Sequence, residues 1–106
     1  MARESKFQSD LIDDLEEMFP GSIVFKNDSY IQGFPDVTIL YEDMWAILEC
    51  KKSANEPHQP NQDYYVELLD QMSFSRFIYP ENKEKVLNDL QKTFAHRSAA
   101  RFSRRK

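Results

Sequence analysis

Gly33-Phe34-Pro35-Asp36-Val37-Thr38-Ile39-Leu40-Tyr41-Glu42-Asp43-Met44-Trp45-Ala46-Ile47-Leu48-Glu49-Cys50-Lys51 is the stretch on which the reading of this chain turns. After the break at Gly33 to Pro35, the β-branched and aromatic run Val37 to Tyr41 reads as a strand. A second apolar run, Met44 to Cys50, follows Glu42-Asp43 and ends in Lys51-Lys52, so it reads as a further strand hairpinned to the first. If the turn is the two residues Glu42-Asp43, Tyr41 faces Met44 and Asp36 falls directly opposite Glu49. Such neighbours have Cβ atoms about 4.5 to 5.5 Å apart on one face, where like charges repel. Two carboxylates fit there if they hold a hard divalent cation, which takes oxygen ligands. Period-two alternation then puts Lys51 on the face of Glu49 and turns Cys50 towards the core. A turn one residue longer or shorter would move Asp36 to the other face and dissolve the cluster.

That trio suits phosphodiester hydrolysis: a bound Mg²⁺ polarises a phosphoryl oxygen and acidifies an attacking water, and a lysine orients that water or steadies developing charge. The structural reading of the same residues is Asp36 capping a turn after Pro35, with Glu49 and Lys51 as a surface pair. Two more positions bear on the choice. Phe7, Leu11, Ile12, Leu15, Met18 and Phe19 recur at helical spacing until Pro20-Gly21, and on that wheel Glu4 lies inside the apolar stripe. Glu4 is then either a third metal ligand facing the sheet or a solvated residue of a frayed first turn. Gln62 lies between Val66 and Leu69 on the apolar side of the helix expected over Gln62 to Met72. It either serves the site or caps the helix with Asn61.

The remaining elements follow from the same patterns. Ser22 to Lys26 is a strand ended by Asn27-Asp28-Ser29, and Ser53 to Asn61, with two prolines, is a loop. Ser75 to Tyr79 is a short strand and Glu81 to Phe94 a last helix. The order helix, three strands, helix, strand, helix gives a single α/β domain with a mixed sheet, covering residues 1–95. Residues 96–106 form a basic tail.

At 106 residues one modest core is expected. Hydrophobic residues make up 41% of the chain, with eight Phe, five Tyr and one Trp, which separates it from disordered sequences. No apolar run approaches the roughly 18 residues of a membrane span, Met1 to Asp10 is polar, and Cys50 is the single cysteine, so a soluble cytoplasmic protein is expected. The net charge is −4, yet Arg97, Arg101, Arg104, Arg105 and Lys106 contribute five positive charges, leaving −9 on residues 1–96. The tail is a candidate phosphate grip, with Lys52 and Tyr64 as further candidate nucleic-acid contacts. His58 and His96 read as surface residues.

Gly33-Phe34-Pro35-Asp36, twelve intervening residues, then Glu49-Cys50-Lys51, resembles the PD-(D/E)xK nuclease signature. Together with the strand Trp45 to Lys51 and Asn61-Gln62 opening a helix, the pattern is similar to the VRR-NUC and Holliday junction resolvase-like branches of that superfamily, including small phage-encoded nucleases. The resemblance spans about residues 4–94. It implies a restriction-endonuclease-like αβββαβα fold and a Mg²⁺-dependent endonuclease, with Mn²⁺ substituting. By the same resemblance Glu4, Asp36 and Glu49 are metal ligands, Lys51 is catalytic and Gln62 supports it. The implied substrate is DNA, at branched or junction structures, in the host cytoplasm for a phage protein. A homodimer is expected, since so small a chain offers little surface and paired sites suit symmetric junctions. The rival reading is a nucleic-acid- or protein-binding module that does not cut.

Overall fold

The computed structural model describes the backbone of residues 2–105 and the side chains of residues 6–101. The elements run α1 (Ala2–Met18), β1 (Ile23–Lys26), β2 (Val37–Tyr41), β3 (Met44–Cys50), α2 (Gln62–Met72), β4 (Ser75–Ile78) and α3 (Lys83–Arg105). The four strands form one mixed sheet in the order β1-β2-β3-β4. The first two pairings are antiparallel, and β4 joins β3 in parallel through the α2 crossover. The α/β architecture and element order are those expected.

The decisive turn has two residues: Tyr41 pairs with Met44 and Val37 with Leu48. It forms without glycine because Glu42 takes a left-handed conformation, φ 59°. That conformation costs about 1 kcal/mol or more in a non-glycine residue. The turn is gripped from outside by α3, where Arg101 Nη2 donates to Glu42 Oε1 at 2.7 Å and Arg101 Nη1 pairs with Asp43.

Alternation divides the sheet. Val24, Ile39, Ala46, Leu48, Cys50 and Ile78 point to one face, where Leu11, Leu15 and Phe19 of α1 and Val86, Leu87, Leu90 and Phe94 of α3 close the core. Cys50 is buried there, as its place in the alternation requires. On the other face α2 lies over β3 and β4 with Val66 and Leu69 buried beneath it.

Two boundaries differ from expectation. Strand β4 stops at Ile78 because Tyr79 N–H donates to Asn82 Oδ1 at 2.8 Å, while Asn82 Nδ2 donates to Phe77 O at 3.0 Å. Helix α3 runs through the expected boundary at residue 95 and takes in most of the basic tail. No Pro or Gly interrupts Ala95 to Arg105, and one turn after another docks: Arg97 on Ser73, then Arg101 on the hairpin turn. The Ser53 to Asn61 loop has no regular structure but is internally tied, with Lys52 N–H donating to Glu56 Oε1 at 2.5 Å and Glu56 N–H to Ser53 O at 3.2 Å. Among the described residues no helix is long and apolar enough to cross a membrane.

Candidate functional site

The register that fixes the hairpin also fixes the site. The β2–β3 ladder ends at the Val37–Leu48 pair, one residue short of Asp36 and Glu49, and Glu49, on the α2 face, pairs with Phe77 of β4. Asp36 N–H donates to Leu48 O at 3.1 Å, and Asp36 Oδ2 accepts the Cys50 N–H at 3.1 Å. The carboxylate is thus held against β3 by its own backbone and its side chain together. Lys51 N–H donates to Ile78 O at 2.9 Å, which carries the β3–β4 ladder one residue further and keeps the Lys51 side chain on the face of Glu49.

Glu49, Lys51 and Gln62 are 4%, 3% and 9% exposed. Charges in such a place need partners. Gln62, at the first position of α2, supplies both: its Nε2 donates to Glu49 Oε2 at 2.9 Å and its Oε1 accepts from Lys51 Nζ at 2.6 Å. Lys51 Nζ also donates to Pro57 O at 3.2 Å and lies 3.8 Å from Glu56 Oε2. Gln59 N–H donates to the same Gln62 oxygen at 2.7 Å. One amide therefore ties the strand carboxylate, the strand lysine and the loop into a single network. Neither capping reading holds for the residues concerned: Gln62 reaches into the sheet, and Asn61, left-handed at φ 73°, makes no side-chain cap bond.

Gly33 explains why the loop sits where it does. Its φ is +85°, and a Cβ there would lie 2.7 Å from Asn61 Cβ and 2.7 Å from Pro60 O. A glycine is required for both the backbone angle and the contact. With the Phe34 and Tyr65 rings 5.8 Å apart, this seats the Gly33-Phe34-Pro35 turn against the start of α2.

Asp36 and Glu49 offer carboxylate oxygens, the donor chemistry a Mg²⁺ or Mn²⁺ ion takes. Among the described residues no group of three His, Cys, Asp or Glu is placed to hold a metal. Glu4, the expected third ligand, lies on the α1 backbone with its side chain outside the described residues. Of the expected nucleic-acid contacts, Lys52 is exposed and lines, with Pro80 and the Lys6–Asp10 ion pair of α1, a groove of about 520 Å³. Tyr64 is 60% exposed on α2.

Arg97 and Arg101 sit elsewhere. Arg97 donates to Ser73 Oγ and Ser73 O, both at 2.9 Å, and Arg101 belongs to the hairpin turn. Hydrogen bonding to Asp43 and then Glu42 holds the Arg101 guanidinium pKa above its ordinary range. That turn is at the opposite end of β3 from Glu49, roughly 17 Å away at 3.4 Å per residue. The side chains of Arg104 and Arg105 lie outside the described residues.

Glu56 was not foreseen, and a lone Glu between Asn55 and Pro57 in an aperiodic loop carries no signal that would find it. His58 is exposed, as its sequence setting suggested, but its ring stacks on Phe77 with centroids 4.0 Å apart, and Nδ1 lies 2.6 Å from Asp63 Oδ1. No family model, curated protein or solved structure matches this chain.

Proposed function

We propose that this chain is a Mg²⁺-dependent deoxyribonuclease of the PD-(D/E)xK type, acting on branched or junction DNA in the cytoplasm. The observation that carries the reading is the buried Glu49 and Lys51 joined through Gln62 on one sheet face, with the Asp36 carboxylate bonded to the Cys50 N–H that lies between them in the chain. A simple surface pair would not bury a lysine and a glutamate to this extent.

In this reading Asp36 and Glu49 hold the ion, with Glu4 as a further ligand and Mn²⁺ as a substitute. The bound ion supplies Lewis acidity at the phosphoryl oxygen and acidifies the attacking water. Lys51 presents its ammonium to the reacting phosphate or water, and its donors are oriented by Gln62 and Pro57. Gln62 acts as a positioning residue, fixing the Glu49 carboxylate and the Lys51 ammonium relative to one another. Lys52 gives the groove it shares with the Lys6–Asp10 pair a positive charge towards the DNA backbone. The docked arginines of α3 belong to a second surface, and a homodimer would carry two such sites.

A second reading is favoured by one fact: Lys51 is 3% exposed and already engaged by Gln62, Pro57 and Glu56. Under it the network is structural and the domain binds nucleic acid or protein without cutting. Replacing Lys51 by Ala separates the two. The nuclease reading expects turnover lost with DNA binding retained; a wild type that binds DNA and never cleaves it, alongside an unchanged variant, supports the binding module.

A further inference from the structure

The sheet face that bears the site is only half covered. Helix α2 shields β3 and β4, while on β1 and β2 the same face shows Ile23, Phe25 and Leu40 at 61%, 43% and 42% exposure. These share one face by register, since Ile23 pairs with Leu40 and Leu40 with Trp45, and Phe25 with the neighbouring Thr38. Helix α2 turns an apolar stripe to that bare half: Tyr64, Leu68 and Met72, spaced four apart, are 60%, 36% and 64% exposed. The direction of the stripe is fixed from both sides. Tyr65 meets Phe34 just ahead of β2, and on the other flank Asp70 pairs with Arg76 of β4. Met72 and Trp45 line a common cavity of about 460 Å³ at the end of the step.

Floor and wall form one L-shaped apolar surface. Its six side chains expose the equivalent of about three whole residues, or about 600 Å² at roughly 200 Å² each. A standard interface buries about 800 Å² per partner with roughly 60% of it apolar, so this surface supplies the apolar part of one. The bare floor is two strands wide, about 10 Å, the diameter of one helix. Four strands take two helices on a face, and this chain provides one.

The geometry points to a second copy of this chain as the occupant: the α2 stripe of each protomer rests on the β1–β2 floor of the other. The surface is self-complementary, offering both a ridge and a floor of matching width, as a two-fold interface demands. Its floor ends where β2 begins at Val37, directly after Asp36, so dimer formation shields the apolar part of the face alone. The proposal stands whether or not the chain cleaves DNA.

Sedimentation of the full chain without nucleic acid, from low to high micromolar concentration, tests it. The wild type sediments as two chains; a Leu40→Glu, Leu68→Glu variant sediments as one and keeps the circular dichroism of the folded domain, both side chains being more than a third exposed, while the thermal midpoint of the wild type alone rises with concentration. A bifunctional maleimide joins L40C copies to L68C copies in a mixture. A wild type that stays monomeric throughout, a dimer that persists in the double variant, or a mixture that yields no cross-linked pair overturns the proposal.

Discussion

Replacing Gln62 isolates the contribution of the network that ties the two strands to the loop. Gln62→Met keeps volume and helix propensity while removing the bonds to Glu49 at 2.9 Å and to Lys51 at 2.6 Å, and the acceptor for Gln59 N–H at 2.7 Å. Hydrogen bonds to charged groups contribute about 1.5 to 3 kcal/mol each, and a neutral one about 1 kcal/mol. Lys51 retains Pro57 and Glu56, and apolar burial of the Met stem recovers part of the loss. The expected net cost is about 3 kcal/mol, which for a domain of this size lowers the thermal midpoint by roughly 12 to 20 °C. Urea denaturation of Gln62→Met, Lys51→Met and the double variant gives the coupling directly. A coupling of more than about 1 kcal/mol is expected from a shared buried bond. Additive effects, with coupling below about 0.5 kcal/mol, would refute the assignment of Gln62 as the link.

Three further outcomes follow from particular contacts. Gly33→Ala places a methyl 2.7 Å from backbone and side-chain atoms at a positive φ, so denaturant melts should show a loss of about 2 to 4 kcal/mol, with Gly33→Asn less harmful in backbone strain but no better in space. Arg101→Ala frees the last turns of α3 from the Glu42-Asp43 turn; faster amide exchange in residues 95–101 with an almost unchanged global midpoint is expected from hydrogen-exchange mass spectrometry. Millimolar Mg²⁺ or Mn²⁺ raises the thermal midpoint of the wild type if the two carboxylates hold an ion, and Asp36→Asn abolishes that rise; calorimetric titration checks the same binding.

Much of this arrangement was legible in the hairpin strands. Val37 to Tyr41 and Met44 to Cys50 stand out as apolar runs on either side of Glu42-Asp43; the sequence left the length of that turn open, and the two-residue turn that forms fixes the Val37–Leu48 register. Gln62 stood out because an amide on an apolar helical stripe needs partners. What the sequence could not announce lies in non-periodic segments. Glu56 meets Lys51 through loop geometry that no pattern encodes, and His58 meets Phe77 across a chain separation bridged by α2 and the crossover. The basic tail is set apart from the last helix in the sequence, as a candidate phosphate grip, because its apolar periodicity stops at Phe94. Its helix is instead secured by Arg97 and Arg101 on Ser73, Glu42 and Asp43, polar docking that a hydrophobic pattern does not register.

The most direct test of the central claim is cleavage of labelled single-stranded, duplex, flap and four-way junction DNA with Mg²⁺, Mn²⁺ or EDTA, comparing the wild type with Asp36→Ala. The account expects cutting of branched substrates that needs the metal and vanishes in the variant. Equal inactivity of the two proteins, both folded and both still binding DNA, would contradict it.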